Sequence, residues 1–154
     1  MSFTTGKGTR GARQPSAGML MRLFNKWAMN RARKSGNLFG STALVLTTVG
    51  RKSGAERSTP VNYFPGQDGS WLIVASAAGA ANNPAWYYNI AAHPDKVRIE
   101  TNGRSVPVTA EQLHGAERGV AWHEIATGDK RFARYQEKTD RELPVIRLTA
   151  RSTE

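Results

Sequence analysis

Cysteine is absent from the 154 residues, which excludes disulfides, thiolate metal sites and a cysteine nucleophile. No apolar run approaches the roughly 18 residues that a membrane-spanning helix needs. The first residues lack the apolar core of a secretory signal, so the expectation is a protein of the reducing cytoplasm. Only three histidines occur, His93, His114 and His123, and none stands at metal-pair spacing, so no metal is expected. The 12 acids are scattered and mostly sit beside bases, and no G-x-S-x-G elbow is present. Hydrolysis by paired carboxylates or a serine triad therefore has no visible equipment. Acid is missing altogether from residues 1–35, which hold eight Lys and Arg.

That imbalance supplies most of the formal net charge of +10, because residues 36–154 carry 14 bases against 12 acids. The basicity belongs to an N-terminal arm. Such an arm seeks polyanions (a membrane surface, nucleic acid or a phosphorylated ligand), or it is a solvated tail with a basic helix face. Residues 1–16, rich in Gly, Ser, Thr and Arg, are expected to be a flexible basic tail. Residues 17–36 change character. Met19, Leu20, Leu23, Phe24 and Trp27 fall at helical spacing, and Arg22, Lys26, Arg31, Arg33 and Lys34 decorate the remainder. Ser16 suits the N-cap and Gly36 the stop. The plainer expectation for this amphipathic helix is that its apolar face packs on the body; the alternative is a lipid interface.

Residues 37–154 have no linker that would divide them and are expected to form one domain. Strands are expected over 42–49 (TALVLTTV), 57–64, 71–77 (WLIVASA), 96–101, 104–113 and 143–149. Asn102-Gly103 is a hairpin turn, and Pro60 suits an edge strand or a bulge. Helices are expected over 82–93, with Asn83 as cap and Pro84 at the first position, and over 115–127 and 129–139. Short links between neighbouring strands favour antiparallel pairing. The fold expected is α+β, mainly β: about six mostly antiparallel strands in a partly closed barrel with flanking helices.

Three places hold chemistry. In GRKSG at 50–54, two glycines permit a turn whose N–H groups converge on an anion, and Arg51, Lys52 and Arg57 add charge; a basic hairpin tip in water is the alternative. It is not a Walker loop, whose spacing is missing. At 75–89, a strand ends in small residues before a helix that opens with Trp86, Tyr87 and Tyr88. Small residues let a planar ligand approach the backbone, and Trp86 offers a wall for a ring, unless the aromatics are simply core. At 130–141, Phe132 and Tyr135 share a helix face with Gln136 beside them, as a lid or as ordinary packing.

LVLTTVGRKSGAERSTPVNYF, LIVASAAGAANNPAWYYNIAAHP and RYQEKTDRELPVIRL occur in that order over roughly residues 40–150. Together they resemble the deazaflavin-dependent nitroreductase family of actinobacteria. The resemblance implies a split β-barrel, related to flavin-binding barrels, that uses coenzyme F-420, a deazaflavin with a phosphate and a polyglutamate tail. It implies hydride transfer to electron-poor acceptors of quinone, nitroimidazole or enone type. It places Arg51 and Lys52 on the anionic tail, with Ser53, Gly54 and Arg57 nearby. Pro60, Asn62 and Tyr63 would line the ring side, and Ala75, Ser76 and Ala77 the ring edge. Ala85 and Trp86 would stand beside the ring. Tyr135 would face the acceptor and, with Ser76, supply a donor to it.

Two departures from the family pattern follow. Many members carry Lys where Ala77 stands, so one anchoring charge is lost. Phe132 replaces a tyrosine, which makes the acceptor side more apolar. A deazaflavin reductase is therefore one expectation. The alternative is a related barrel that binds FMN or an apolar ligand such as a fatty acid without deazaflavin chemistry. A nucleic-acid binder is not expected, because the body lacks aromatics interleaved with bases. The helix over 17–34 would either cover the pocket or make peripheral contact with the inner face of the membrane, which would suit a lipid quinone as acceptor.

Overall fold

The structure, a computed structural model, describes residues 3–12, 19–38 and 41–151. Its elements run α1 (Met19–Ser35), β1 (Asn37–Leu38), β2 (Ser41–Val49), β3 (Glu56–Asn62), β4 (Phe64–Pro65), β5 (Trp71–Val74), α2 (Ala85–Ala92), β6 (Val97–Thr101), β7 (Arg104–Gln112), α3 (Gly115–Gly128), α4 (Lys130–Lys138) and β8 (Val145–Ala150). The six longer strands are those the sequence predicts, and every pairing between strands is antiparallel. Asn102 and Gly103 both take positive φ, +51° and +76°, which joins β6 to β7 by the tight turn that Asn-Gly favours.

The sheet runs β3-β2-β6-β7-β8-β5-β4, with β1 pairing the start of β2. Only Tyr63 separates β3 from β4, so one bent strand supplies both ends of the sheet and curls it into a barrel. Pro60 lies on β3, opposite Val45, where the missing N–H faces away from the β2 ladder.

Side-chain alternation along β2 explains its unbroken apolar run. Leu44 and Leu46 point into the barrel with Ile73, Ile99, Ile146 and Leu148. Ala43 and Val45 point outward under α1. On the far side, Leu72 and Val74 of β5 meet Ile125 of α3 and Phe132 of α4. Both faces of these strands are therefore buried, and a barrel interior and two helix-covered flanks share one set of strands.

Three expectations are corrected. The apolar stripe of α1 is not its buried face where it is described: Ala28 and Ala32 are fully buried against Leu38, Ala43 and Val45 with Met29 partly buried beside them, while Met19 is 78% exposed, Leu23 59% and Trp27 50%. Small side chains let the helix lie close on β2, and the bulky stripe faces outward. Asn83 does not cap α2; Pro84 holds that position, and the Asn83 side chain is spent elsewhere. Residues 3–12 differ from a free tail. They form an extended strap in which Phe3 packs edge-on against Tyr87, and Gly8 and Ala12 donate N–H bonds to Ala81 and Gly79. Thr9 donates its amide, at 2.8 Å, and its hydroxyl to the Asp140 carboxylate. Composition reads this segment as flexible because every partner lies far away in sequence. Ser16, the expected cap of α1, lies outside the described residues, as do the side chains of Leu20 and Met21.

Candidate active site

Two cavities meet between the β2–β3 turn, the start of α2 and the face of α4. The first is a cleft of about 700 Å³ beside the turn, lined by Thr48, Gly50, Arg51, Lys52, Ser53 and Arg57 and closed by Ala85, Trp86 and Asn89. The second is a chamber of about 370 Å³ reaching from Trp86 past Pro60, Asn62 and Ser76 to Arg131, Phe132 and Tyr135. Thr59, Ala77, Pro84 and Trp86 line both, so cleft and chamber share a wall.

The cleft is positive because three cations line it and no acid does. Glu56, the acid nearest in sequence, is drawn off by Arg98 at 3.0 Å. The turn itself departs from the anion nest that two glycines suggest. Gly50 donates to the Ala55 carbonyl and Gly54 to that of Gly50, while Arg51 N–H donates to Asn89 Oδ1 at 3.1 Å. Those amides are occupied, and only Gly54 takes a left-handed φ, +73°. Anion affinity therefore rests on the exposed side chains of Arg51, Lys52 and Arg57. The Arg51 guanidinium lies over the Tyr88 ring at 4.8 Å, which holds it at the rim.

Helical spacing divides the aromatics of α2. Trp86 and Asn89, three apart, face the cleft; Tyr87 and Ile90 enter the barrel core. Tyr87 donates its hydroxyl to Gln112 Oε1 at 2.6 Å, and burial pushes the phenol above its ordinary pKa. Tyr88 supports Arg51 and accepts from Asn83 Nδ2.

The chamber is mostly apolar. Phe132 is buried and meets Phe64 and Tyr135 edge-on, at 5.4 and 5.5 Å. Half-exposed Tyr135 turns into the chamber beside it. Arg131 is the cation at this end. It donates to Asp129 Oδ2 at 2.7 Å and to Ser41 Oγ at 3.2 Å. Hydrogen bonding to Arg131 holds the Asp129 carboxyl below its ordinary pKa. The α1 side chain Phe24 closes the far wall, so the arm takes part in the site.

Of the residues expected at the site, Arg51, Lys52, Ser53, Arg57, Ala77, Ala85 and Trp86 line the cleft. Pro60, Asn62, Ser76 and Tyr135 line the chamber. Gly54 stays in the turn, while Tyr63 and Ala75 turn toward the barrel core and reach neither cavity. Asn89 and Arg131 are the residues that sequence reasoning missed, whereas Phe24 belongs to the apolar face of the helix expected either to cover the pocket or to touch the membrane. Asn89 carried a signal: it is a lone amide on the helix face of Trp86. Gln136, expected beside the lid pair, instead bonds the Arg141 carbonyl and the Leu143 N–H and ties down the chain after α4. Among the described residues, no group of three His, Asp or Glu could hold a metal ion.

Comparison with known proteins shows the family and the fold. A model of the family described as F420H(2)-dependent quinone reductase matches residues 20–150. An F420H(2)-dependent quinone reductase of Mycobacterium tuberculosis is 36% identical over 112 residues, 71% of this chain and 74% of the relative. A solved F420-H2 dependent reductase, FDR-A, superposes with a TM-score of 0.61 at 34% identity, over 69% of this chain and 92% of that one. A structure described as a domain-swapped dimer superposes at 0.63 with 29% identity, over 84% and 92% of the two chains.

Proposed function

The chain belongs to the F420H(2)-dependent quinone reductase family, and from that premise we propose how its two cavities divide the reaction. The protein is a coenzyme F-420-dependent oxidoreductase of the quinone reductase type. The observation that carries the division of labour is the shared wall of Thr59, Ala77, Pro84 and Trp86 between a basic cleft and an apolar chamber. A cleft with three cations and no acid fits an anionic tail, and small residues beside Trp86 fit a planar ring. Arg51, Lys52 and Arg57 would hold the phosphate and carboxylates, and Thr59, Pro60, Ala77 and Trp86 would bracket the ring.

When bound, the reduced deazaflavin supplies the hydride. The chain's own work is on the acceptor. Phe24, Phe132 and Val74 wall the chamber and exclude water around it. As a quinone takes up hydride one of its oxygens becomes negative, and Arg131, already paired with Asp129 at 2.7 Å, offers hydrogen bonding there rather than an uncompensated charge. Tyr135, with Ser76 as the second donor, gives that oxygen its proton, so one hydride and one proton convert quinone to quinol. Ala77 stands at the junction of the cavities, where its methyl widens the passage and leaves tail binding to the three cations of the β2–β3 turn.

The acceptor's route is part of the same proposal. Met19, Leu23 and Trp27 form an outward apolar stripe on α1, flanked by Arg22, Lys26 and Arg31, and Phe24 is both exposed and part of the chamber wall. This arrangement supports α1 as a peripheral membrane contact that admits a lipid quinone. No described helix is long and apolar enough to cross a membrane. Leu23→Ser/Trp27→Ser should lower sedimentation with anionic lipid vesicles and raise KM for a long-chain quinone, with KM for a short soluble quinone unchanged. Equal effects on both quinones would remove the membrane role.

The cofactor assignment is tested by fluorescence titration of oxidised coenzyme F-420 on wild type and on Arg51→Ala/Lys52→Ala. The double variant should bind at least tenfold more weakly, about 1.4 kcal/mol. Equal affinities would move the tail away from the β2–β3 turn. Binding of FMN or a fatty acid in place of coenzyme F-420 would favour the carrier reading of the same barrel.

A further inference from the structure

Arg141, just before β8, is only 3% exposed, and among the described residues no carboxylate lies within ion-pairing distance of it. Burial pushes its pKa down, yet a guanidinium keeps its proton in proteins. A buried cation without a counter-charge is a costly residue, tolerated only where its donors are all used. Here they are used on one loop. Nη1 donates to the Ala75 carbonyl at 2.9 Å and to Asn83 Oδ1 at 2.6 Å. Nη2 donates to the carbonyls of Ser76, at 2.9 Å, and Ala80, at 3.0 Å, and Nε reaches Ala80 again at 3.3 Å.

That loop is backbone no ordinary sequence adopts. Ala77, Ala78 and Gly79 take φ of +46°, +54° and +83° in succession, and two of the three carry a Cβ. Isolated alanines avoid this region, so something must hold the turn. Ala77 is also one of the four residues that face both cavities, and Ala78 lines the chamber. Gly79 is pressed against α4, where an added Cβ would meet the Tyr135 carbonyl at 2.6 Å. From outside, the strap donates from Gly8 to Ala81 and from Ala12 to Gly79. From inside, the five Arg141 bonds fix the carbonyls on either side of the turn.

We propose that Arg141 is a positioning residue of the cofactor cleft, buried behind the Ala75–Asn83 loop, where it fixes the left-handed turn that forms the wall between the two cavities. The proposal rests on the cleft's reading as the coenzyme F-420 site. A residue kept only to join α4 to β8 would be replaceable by an apolar side chain of similar volume, and its loss would loosen the barrel generally. Arg141 spends every side-chain donor bond on the loop and none on either of those elements.

The test compares Arg141→Lys and Arg141→Gln with wild type by three readouts. Amide hydrogen exchange of the cofactor-free protein should rise at least tenfold at residues 77–81, with β2, β6 and β7 unchanged. The dissociation constant for oxidised coenzyme F-420, by fluorescence, should rise at least tenfold in the Gln variant and less in the Lys variant, which keeps the charge. The midpoint of thermal unfolding reports general damage. Unchanged exchange at 77–81, exchange raised throughout the barrel, or cofactor affinity within twofold of wild type in both variants would each overturn the proposal. Should both variants fail to fold, Gly79→Ala displaces the same turn with Arg141 intact, and it must loosen the same amides and weaken the cofactor for the proposal to stand. If wild type itself binds no coenzyme F-420, the cofactor reading of the cleft falls. Exchange then decides alone whether Arg141 shapes that wall.

Discussion

Asn89 sits in the middle of an apolar helix and is 8% exposed, so both ends of its amide need partners. Oδ1 accepts from Arg51 N–H at 3.1 Å, and Nδ2 donates to Thr48 Oγ1 at 3.3 Å. The side chain thus joins α2 to the turn that carries the cleft's cations. Asn89→Leu should lower stability by about 1 kcal/mol in a denaturant melt, since it leaves the buried Thr48 hydroxyl without its partner and frees the part-buried Arg51 N–H. Asn89→Asp separates geometry from charge. It preserves the acceptor for Arg51 but puts an anion into the cleft, so affinity for coenzyme F-420 should fall severalfold in the fluorescence titration; unchanged affinity would place the tail elsewhere. Residue types alone found Arg51, Lys52, Arg57 and Trp86, because charge and ring size announce their chemistry. The resemblance put Tyr63 and Ala75 beside the ring, where neither reaches the cavities, since strand alternation decides which neighbour faces them and a bend at Tyr63 shifts that phase. Asn89 and Arg141 were not singled out because a positioning residue shows its role only through partners distant in sequence.

At the scale of elements, α1 shows why a periodic stripe names a helix but not its packing side. The apolar residues Met19, Leu23 and Trp27 define a face, yet the face that meets the barrel is Ala28 and Ala32. Close approach to Ala43 and Val45 favours small side chains, and the hydrophobic pattern gives alanine little weight. Ala32→Leu should therefore destabilise the protein by about 1–3 kcal/mol through overpacking, whereas Leu23→Ser should stay within about 0.5 kcal/mol. Paired thermal melts check this, and equal effects would mean that α1 buries its bulky stripe. Helices and longer strands were equally legible as elements: α3 and α4 lie within one residue of the expected 115–127 and 129–139, and the six longer strands are bounded by turn residues such as Asn102-Gly103, with antiparallel neighbours following from short links. The two-residue strands β1 and β4 are too short for a pattern to announce them. The partly closed barrel was legible too, because about six antiparallel strands around one core must hide their edges; what was not legible is the device that curls the sheet, β3 and β4 being one bent strand.

The molecule as a whole folds its basic arm back onto its own surface, and Asp140 is where the arm is held. Its carboxylate accepts from the Thr9 hydroxyl and from the amides of Thr9 and Arg10. Those bonds, the Thr9 hydroxyl first, pull its pKa from 3.8 down to about 2. The sign of the pH effect follows. A depressed carboxyl pKa favours the docked strap fully above 3.8, and that contribution is lost as pH falls through about 2. The Asp140 contribution should thus be complete at neutral pH and vanish across that acid window, loosening the strap at Thr9 and Arg10 while its Phe3, Gly8 and Ala12 contacts remain. The amide signals of Thr9 and Arg10 in a heteronuclear NMR titration would report it, with β2 and β7 amides as internal controls. Asp140→Ala should release the same two amides at neutral pH and leave the barrel signals in place. Amides that stay fixed in Asp140→Ala would show that the Gly8 and Ala12 bonds hold the strap without the carboxylate. The strap crosses the loop that Arg141 supports from within, so its loosening should also raise exchange at residues 77–81, linking the start of the chain to the wall of the active site.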